Sequence, residues 1–261
     1  MLDFFSILFL AIIQGITEFL PISSSAHLVL AGEFFRITGQ TIFSDIAMHL
    51  GTILAVLVFY FKPLLSMGKN LIGGKEKTDF ANPKIIWLLI ISLIPTGIVG
   101  FLLTDLVEAH ARSIFWIGIN SIIFGGILFY ADKSEDKKTI SSMTWKEAIA
   151  VGVAQILAVF PGVSRAGITI TALRFFGFNR EASVYYSVLL SVPTILGASL
   201  LLLRESVHID FFTMLWSVLF SFIFTYVCLK FLVKWIQKTN FDLFVYYRVG
   251  LGIILIFLII F

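Results

Sequence analysis

Two short polar clusters stand out in an otherwise apolar chain. The first lies within 14–27 and holds Gln14, Glu18, Ser23, Ser24, Ser25 and His27 around Pro21. The second is Pro161-Gly162-Val163-Ser164-Arg165-Ala166-Gly167. A helix that starts on serines offers free N–H groups, hydroxyls and a positive dipole end, and these suit phosphate. Arg165 adds a planar, permanently charged fork that matches phosphate geometry. Glu18 follows Gln14 by four residues, which puts both on one helix face. His27 follows Ser24 by three, and beside a serine, a carboxylate and an arginine it is a candidate general acid or base. The bland alternatives are a helix cap for the serines and a structural ion pair for Glu18 and Arg165.

The elements that must position these residues follow from composition. The chain has 261 residues, of which 59% are hydrophobic and 13% charged, and its mean hydropathy is +0.99. Soluble domains carry roughly 25% charged residues, so a soluble globular fold and a disordered chain are both excluded. The apolar runs are continuous rather than alternating, which excludes a β-barrel. The composition predicts an all-α polytopic membrane protein, with spans at about 43–61, 85–104, 114–130, 182–203, 211–233 and 244–261. Two further stretches, about 2–35 and 147–178, are interrupted by Pro21 and Pro161. Proline breaks a helix, and non-helical backbone at membrane depth needs protein or water around it. Each is expected to be a re-entrant hairpin of two half-helices.

Charge then orients the chain. Loops 62–84, 131–146 and 230–243 hold five, four and three Lys or Arg; loops 105–113 and 204–210 hold only Arg112 and Arg204. The first three are expected inside and both termini outside. The halves also match: Pro21-x-x-Ser24-x-Ala26 with Pro161-x-x-Ser164-x-Ala166 at an offset of 140, and Thr52-Ile53-Leu54-Ala55 with Thr194-Ile195-Leu196-Gly197 at 142. Gln14 and Gln155 precede the two prolines by seven and six residues. One membrane domain, 1–261, with internal repeats of about 1–130 and 147–261, is the expectation. Each half has a hairpin plus three spans, so the second enters upside down, an inverted-topology repeat of six transmembrane helices plus two re-entrant hairpins. Both hairpin tips would meet at one spot.

Other residues receive plain readings. His49 is expected to be a hydrogen-bonded core histidine, and His110 and His208 to be solvated. Asp45 stands at a span entrance. The run 133–138 reads as a solvated loop, Tyr130, Trp145 and Trp235 as interfacial anchors, and Gly125-Gly126 and Gly250-x-Gly252 as close-packing positions. The single cysteine, Cys228, excludes an intrachain disulfide. No Lys or Arg precedes Arg36, so no cleavable signal peptide of the usual kind is expected. A net charge of +3 with scattered lysines implies no nucleic-acid partner.

At Gln14–His27 and Pro161–Thr169 the sequence resembles the bacterial undecaprenyl-diphosphate phosphatase family, also called BacA, over essentially the whole chain. The resemblance implies a multi-pass inner-membrane hydrolase with a polyprenyl diphosphate substrate, in the bilayer, its site open to the outer face. It further implies recycling of the cell-wall lipid carrier and resistance to bacitracin. By motif, Ser24 and His27 match the proposed nucleophile and base, Arg165 the phosphate clamp, and Glu18 the acidic residue near the metal or nucleophile. Gln14, Ser23, Ser25, Gly162, Ser164 and Thr169 are the implied substrate-binding residues. A magnesium or calcium ion is the implied cofactor. Gln14 stands where many members have a second Glu, which leaves one carboxylate here rather than two. A homodimer is compatible with the resemblance.

Ser24, His27 or water could each be the nucleophile, and the residues do not choose. A rival class is a lipid-phosphate flippase or anion transporter, because inverted repeats with broken helices also build transporters.

Overall fold

The computed structural model describes residues 2–37, 40–74, 78–110, 113–202 and 210–260. The readings on Lys75, Lys77, Arg112, Arg204 and His208 fall outside them, as does that on the His110 side chain. The described residues form eleven α-helices and short 3₁₀ turns, with no strand.

The first polar stretch is a helix, a break and a helix. Helix α1 (Phe4–Thr17) starts on Asp3, whose carboxylate accepts from Ser6 N at 2.9 Å. The chain then turns through Pro21, and α2 (Ser24–Phe35) begins after Ser23, held at φ 75°. Helix α3 (Ile42–Phe59) opens with a Thr41–Ser44 capping box and runs directly into α4 (Phe61–Leu71). Helices α5 (Lys84–His110) and α6 (Ile114–Asp132) complete the first half. The second half repeats the pattern. Helix α7 (Trp145–Ile156) opens with a Thr144–Glu147 capping box. The chain breaks at Pro161, and α8 (Arg165–Phe175) begins after Ser164, at φ 69°. Then come α9 (Arg180–Leu202), α10 (Phe211–Ile236) and α11 (Asp242–Ile260).

Five helices (α3, α6, α9, α10 and α11) are long and apolar enough to cross a membrane; α5 is apolar over Lys84–Gly100. Their outward faces carry large apolar residues such as Leu200, Phe257 and Ile260. That is the surface a lipid-embedded protein presents.

Three expectations need correction. The stretch 62–84 is not all loop: α4 occupies its first part, because Pro63 falls in the first turn, where a missing N–H costs nothing. Residues 105–110 continue α5 rather than forming a loop. The run 133–138 is not simply solvated. Asp136 pairs with Arg174, and Lys138 Nζ meets Glu147 Oε1 at 2.6 Å. Arg174 is fully buried and also meets Asp132, which Arg180 and the Phe241 N–H share. This polar knot ties α6, α8, α9 and the start of α11 at one end of the bundle.

The helix pairing is reciprocal. Helix α1 packs on α10 and α7 on α5; α3 packs on α10 and α9 on α5; α6 packs on α11. Two of these contacts are very close. A Cβ on Gly51 would lie 2.4 Å from Val218 O, and one on Gly152 2.1 Å from Ser92 O. Of the glycines expected to pack, Gly252 lies against Gly118 and Gly125 against Arg248, whereas Gly126 and Gly250 face open space.

Candidate active site

The two breaks meet. Glu18, at the end of α1, is buried, and its carboxylate is shared among three partners. Oε1 pairs with Arg165 Nη2. Oε2 accepts from Ser24 Oγ at 2.7 Å and from Gln14 Nε2 at 2.7 Å. A single carboxylate therefore joins the first residue of α2 to the first residue of α8. Its location follows from sequence: α1 ends at Thr17, so Glu18 sits on the last turn and leans into the break.

Above this group lies a cavity of about 950 Å³. Its polar lining includes Glu18, Ser23, Ser24, Ser25, Ser164 and Arg165. Most of the remaining lining is apolar, including Ile42 and Ile46 of α3, Leu93 and Ile98 of α5, and Ile195 and Leu201 of α9. Arg165 Nη1 is buried and has no hydrogen-bond partner among the described residues. One arm of the guanidinium thus holds Glu18, and the other stays unsatisfied. A buried donor left unpaired costs roughly 1–3 kcal/mol, and more for a charged group.

The remaining predicted residues have definite places. Ser23 and Ser25 hydroxyls lie 3.3 Å apart. Ser164 Oγ accepts from Gly167 N at 3.0 Å and caps α8. Gln14 stands behind Glu18 and does not line the cavity. Gly162 is buried at φ 91°, where a Cβ would sit 2.6 Å from Ile117 O. Thr169 is buried on Ser187 Oγ at 2.7 Å. Gly162 and Thr169 therefore build the break and its helix, and neither faces the cavity.

His27 also lies outside the cluster. Its Nδ1 is 2.6 Å from Ser23 O and its Nε2 2.6 Å from Tyr247 Oη, with the rings stacked. A carbonyl can only accept, so Nδ1 carries the proton and Nε2 accepts from the tyrosine. The histidine nearest Glu18 is His49, with Nε2 3.9 Å from Oε2. Its Nδ1 bonds to Asp45 O at 2.8 Å, as a hydrogen-bonded histidine should, and the residue also lines the cavity. Asp45 lines the cavity too and accepts from Gln40 Nε2 at 2.9 Å.

Arg248 belongs to neither sequence motif. It is buried on α11 and donates to carbonyls of both breaks: Pro21 O at 3.3 Å, Gly162 O at 2.8 Å and Val163 O at 2.9 Å. Asn120 Nδ2 supplies Pro161 O at 2.9 Å. An arginine inside an apolar span is itself a signal, by the same cost that flags Glu18.

The two breaks are built alike, and one family model covers both. The model described as bacitracin resistance protein BacA matches residues 7–254. The chain belongs to the BacA family. Among BacA relatives, an undecaprenyl-diphosphatase of Alteromonas mediterranea is 40% identical over 98% of each chain. An undecaprenyl-diphosphatase of Aliivibrio salmonicida is 40% identical over 96% of each chain.

The implied BacA cation can be tested against the donor set. Both Glu18 oxygens are engaged by Arg165, Ser24 and Gln14. The described residues contain no group of three or more His, Cys, Asp or Glu able to hold a metal. The residues present do not fit a resident, protein-caged ion.

Proposed function

We propose that this chain is an integral membrane phosphatase that hydrolyses undecaprenyl diphosphate to undecaprenyl phosphate and inorganic phosphate. It thereby recycles the cell-wall lipid carrier and confers bacitracin resistance. The observation that carries this reading is Arg165, which lines a cavity with Ser23, Ser24, Ser25, Ser164 and many apolar residues and keeps one guanidinium nitrogen buried without a partner among the described residues. A diphosphate on a long hydrocarbon tail matches both parts. The relatives' activity points the same way.

Phosphoryl transfer needs positioning and charge neutralisation more than covalent machinery. In this reading the terminal phosphate takes Arg165 and the N–H groups that open α2 and α8. Arg165 turns from Glu18 toward the phosphate and frees the carboxylate. Ser24, already donating to Glu18, loses its proton there and attacks the phosphorus in line. Glu18 passes that proton to the departing lipid phosphate. Water then releases phosphate from Ser24. Both ring nitrogens of His27 are occupied, so it holds the Ser23 carbonyl and Tyr247 in place of acting as base. Any magnesium or calcium would arrive on the diphosphate itself, and no step here runs through it.

The membrane arrangement proposed is six spans, with α5 as the sixth, and two re-entrant hairpins, α1–α2 and α7–α8. Reciprocal pairing of α1–α10 with α7–α5 supports an inverted repeat. The cavity lies where α3 begins and α5 and α9 end, opposite the lysine-rich segments. With lysine-rich segments inside, the site opens to the outer face of the bacterial inner membrane. Purified protein in detergent should release phosphate from undecaprenyl diphosphate. Binding without release would instead assign a flippase or anion transporter.

A further inference from the structure

Gln155 of α7 lines the same cavity as Glu18, Ser24 and Arg165, and it is 1% exposed. Its amide nitrogen donates to Thr96 Oγ1 at 3.0 Å and to Thr194 Oγ1 at 3.2 Å. Each threonine has already used its own hydrogen. Thr96 donates to Gly152 O at 2.9 Å, and Thr194 to Leu190 O at 2.7 Å. Neither hydroxyl can donate to Gln155, so the amide has one orientation only. Its oxygen, Oε1, has no hydrogen-bond partner among the described residues. The arrangement is built from three helices. Thr96 follows Pro95 within α5, and Thr194 follows Pro193 within α9. Proline removes a backbone hydrogen bond in each helix, next to the hydroxyl that fixes the amide.

A fixed acceptor needs a donor. A diphosphate offers mainly acceptors, which a lone acceptor such as Oε1 does not bind. Hydrolysis brings one neutral donor to the cavity, which is water. A glutamine can orient attacking water in phosphoryl transfer. We propose that Gln155 Oε1 accepts a hydrogen bond from the hydrolytic water and aims it at the phosphorus held on Ser24. This rests on the phosphatase reading above. The water oxygen bonds to phosphorus as the Ser24 Oγ–P bond breaks. One water proton reaches Ser24 Oγ through Glu18, and the other stays on the phosphate. Gln155 itself transfers no proton.

The test is quenched-flow with undecaprenyl diphosphate labelled with ³²P at its terminal phosphate, on wild type, Gln155→Met and Gln155→Glu in detergent. Gln155→Met keeps the length and removes the acceptor. Its kcat should fall at least roughly ten-fold, KM should hold, and labelled Ser24 should accumulate. Gln155→Glu keeps an oxygen but loses the N–H that anchors the side chain on Thr96 and Thr194, so it should not restore the wild-type rate. Unchanged kcat in Gln155→Met overturns the proposal, as does a rise in KM without label. A higher magnesium requirement with no label assigns the oxygen to a cation and also overturns it. If Gln155→Met does not fold, Thr194→Val, which frees the amide to turn, must show the same label build-up or the proposal fails. Wild type releasing no phosphate defeats the phosphatase reading and this inference together, whereas an active wild type with an unaffected Gln155→Met defeats the inference alone.

Discussion

Glu18 does three jobs with one carboxylate, so its substitution separates them. Glu18→Gln keeps the size and the partners Gln14 and Ser24 but removes the charge facing Arg165. Turnover should drop by roughly 10²–10³-fold, and the melting temperature should fall as well, because Arg165 is left buried without a counter-charge. Stopped phosphate-release assays and thermal melts read both effects. His27→Ala removes a hold on the Ser23 carbonyl, at the strained residue that starts α2. It should lower kcat at saturating substrate while the protein stays folded, and Tyr247→Phe should give a smaller loss in the same direction. A pH–rate profile that loses its acidic limb in His27→Ala would mark His27 as the base instead. Glu18 and Arg165 were legible in the sequence because charge inside apolar sequence is costly and needs a reason, and Ser24 because a helix starts on serines after the Pro21 break. The histidine roles were not. Helical spacing puts His27 near Ser24, but the left-handed turn at Ser23 directs Ser24 to Glu18, while His27 bonds across to α11. The facing of His49 depends on how α3 sits against α1, which no local pattern encodes.

Helix positions were legible for the same physical reason that composition was. Long apolar runs read directly as helices, and the structure adds the Asp3, Thr41 and Thr144 caps that start three of them. The register of the repeat was less so. Sequence identity aligns Ser24 with Ser164, an offset of 140, but the caps align Ser23 with Ser164 and Asp3 with Thr144, an offset of 141. In that register Ser24 corresponds to Arg165, so the two halves place a hydroxyl and a guanidinium at equivalent positions. Pro95 and Pro193 leave no break in their helices, which neighbours hold together. Arg248 carries the element-scale prediction. Arg248→Met leaves the Pro21, Gly162 and Val163 carbonyls without their donor. Each orphaned carbonyl costs roughly 1–3 kcal/mol, so the melting temperature and activity should fall together, with Arg248→Lys intermediate. Equal melting temperatures for Arg248→Met and wild type would remove Arg248 from the account. Gly51→Ala tests the α3–α10 seam. The new Cβ meets Val218 O, and overpacking of this kind costs about 1–3 kcal/mol.

For the molecule as a whole, orientation decides which side the substrate comes from. Lys137 is exposed at the knotted end, and Ser113 is exposed at the start of α6, at the other end. In a Cys228→Ser background, Lys137→Cys should react with an impermeant maleimide only from the inside, and Ser113→Cys only from the outside. The reverse pattern would put the cavity in the cytoplasm. The cavity joins Glu18 and Arg165 to a largely apolar lining, so charged and apolar surfaces adjoin within it. The most direct measurement of the central claim is phosphate release from undecaprenyl diphosphate by purified wild type, Ser24→Ala and Arg165→Ala. Steady release by wild type, lost by at least roughly 10²-fold in each variant, is the predicted result; full turnover in Ser24→Ala or Arg165→Ala would contradict it.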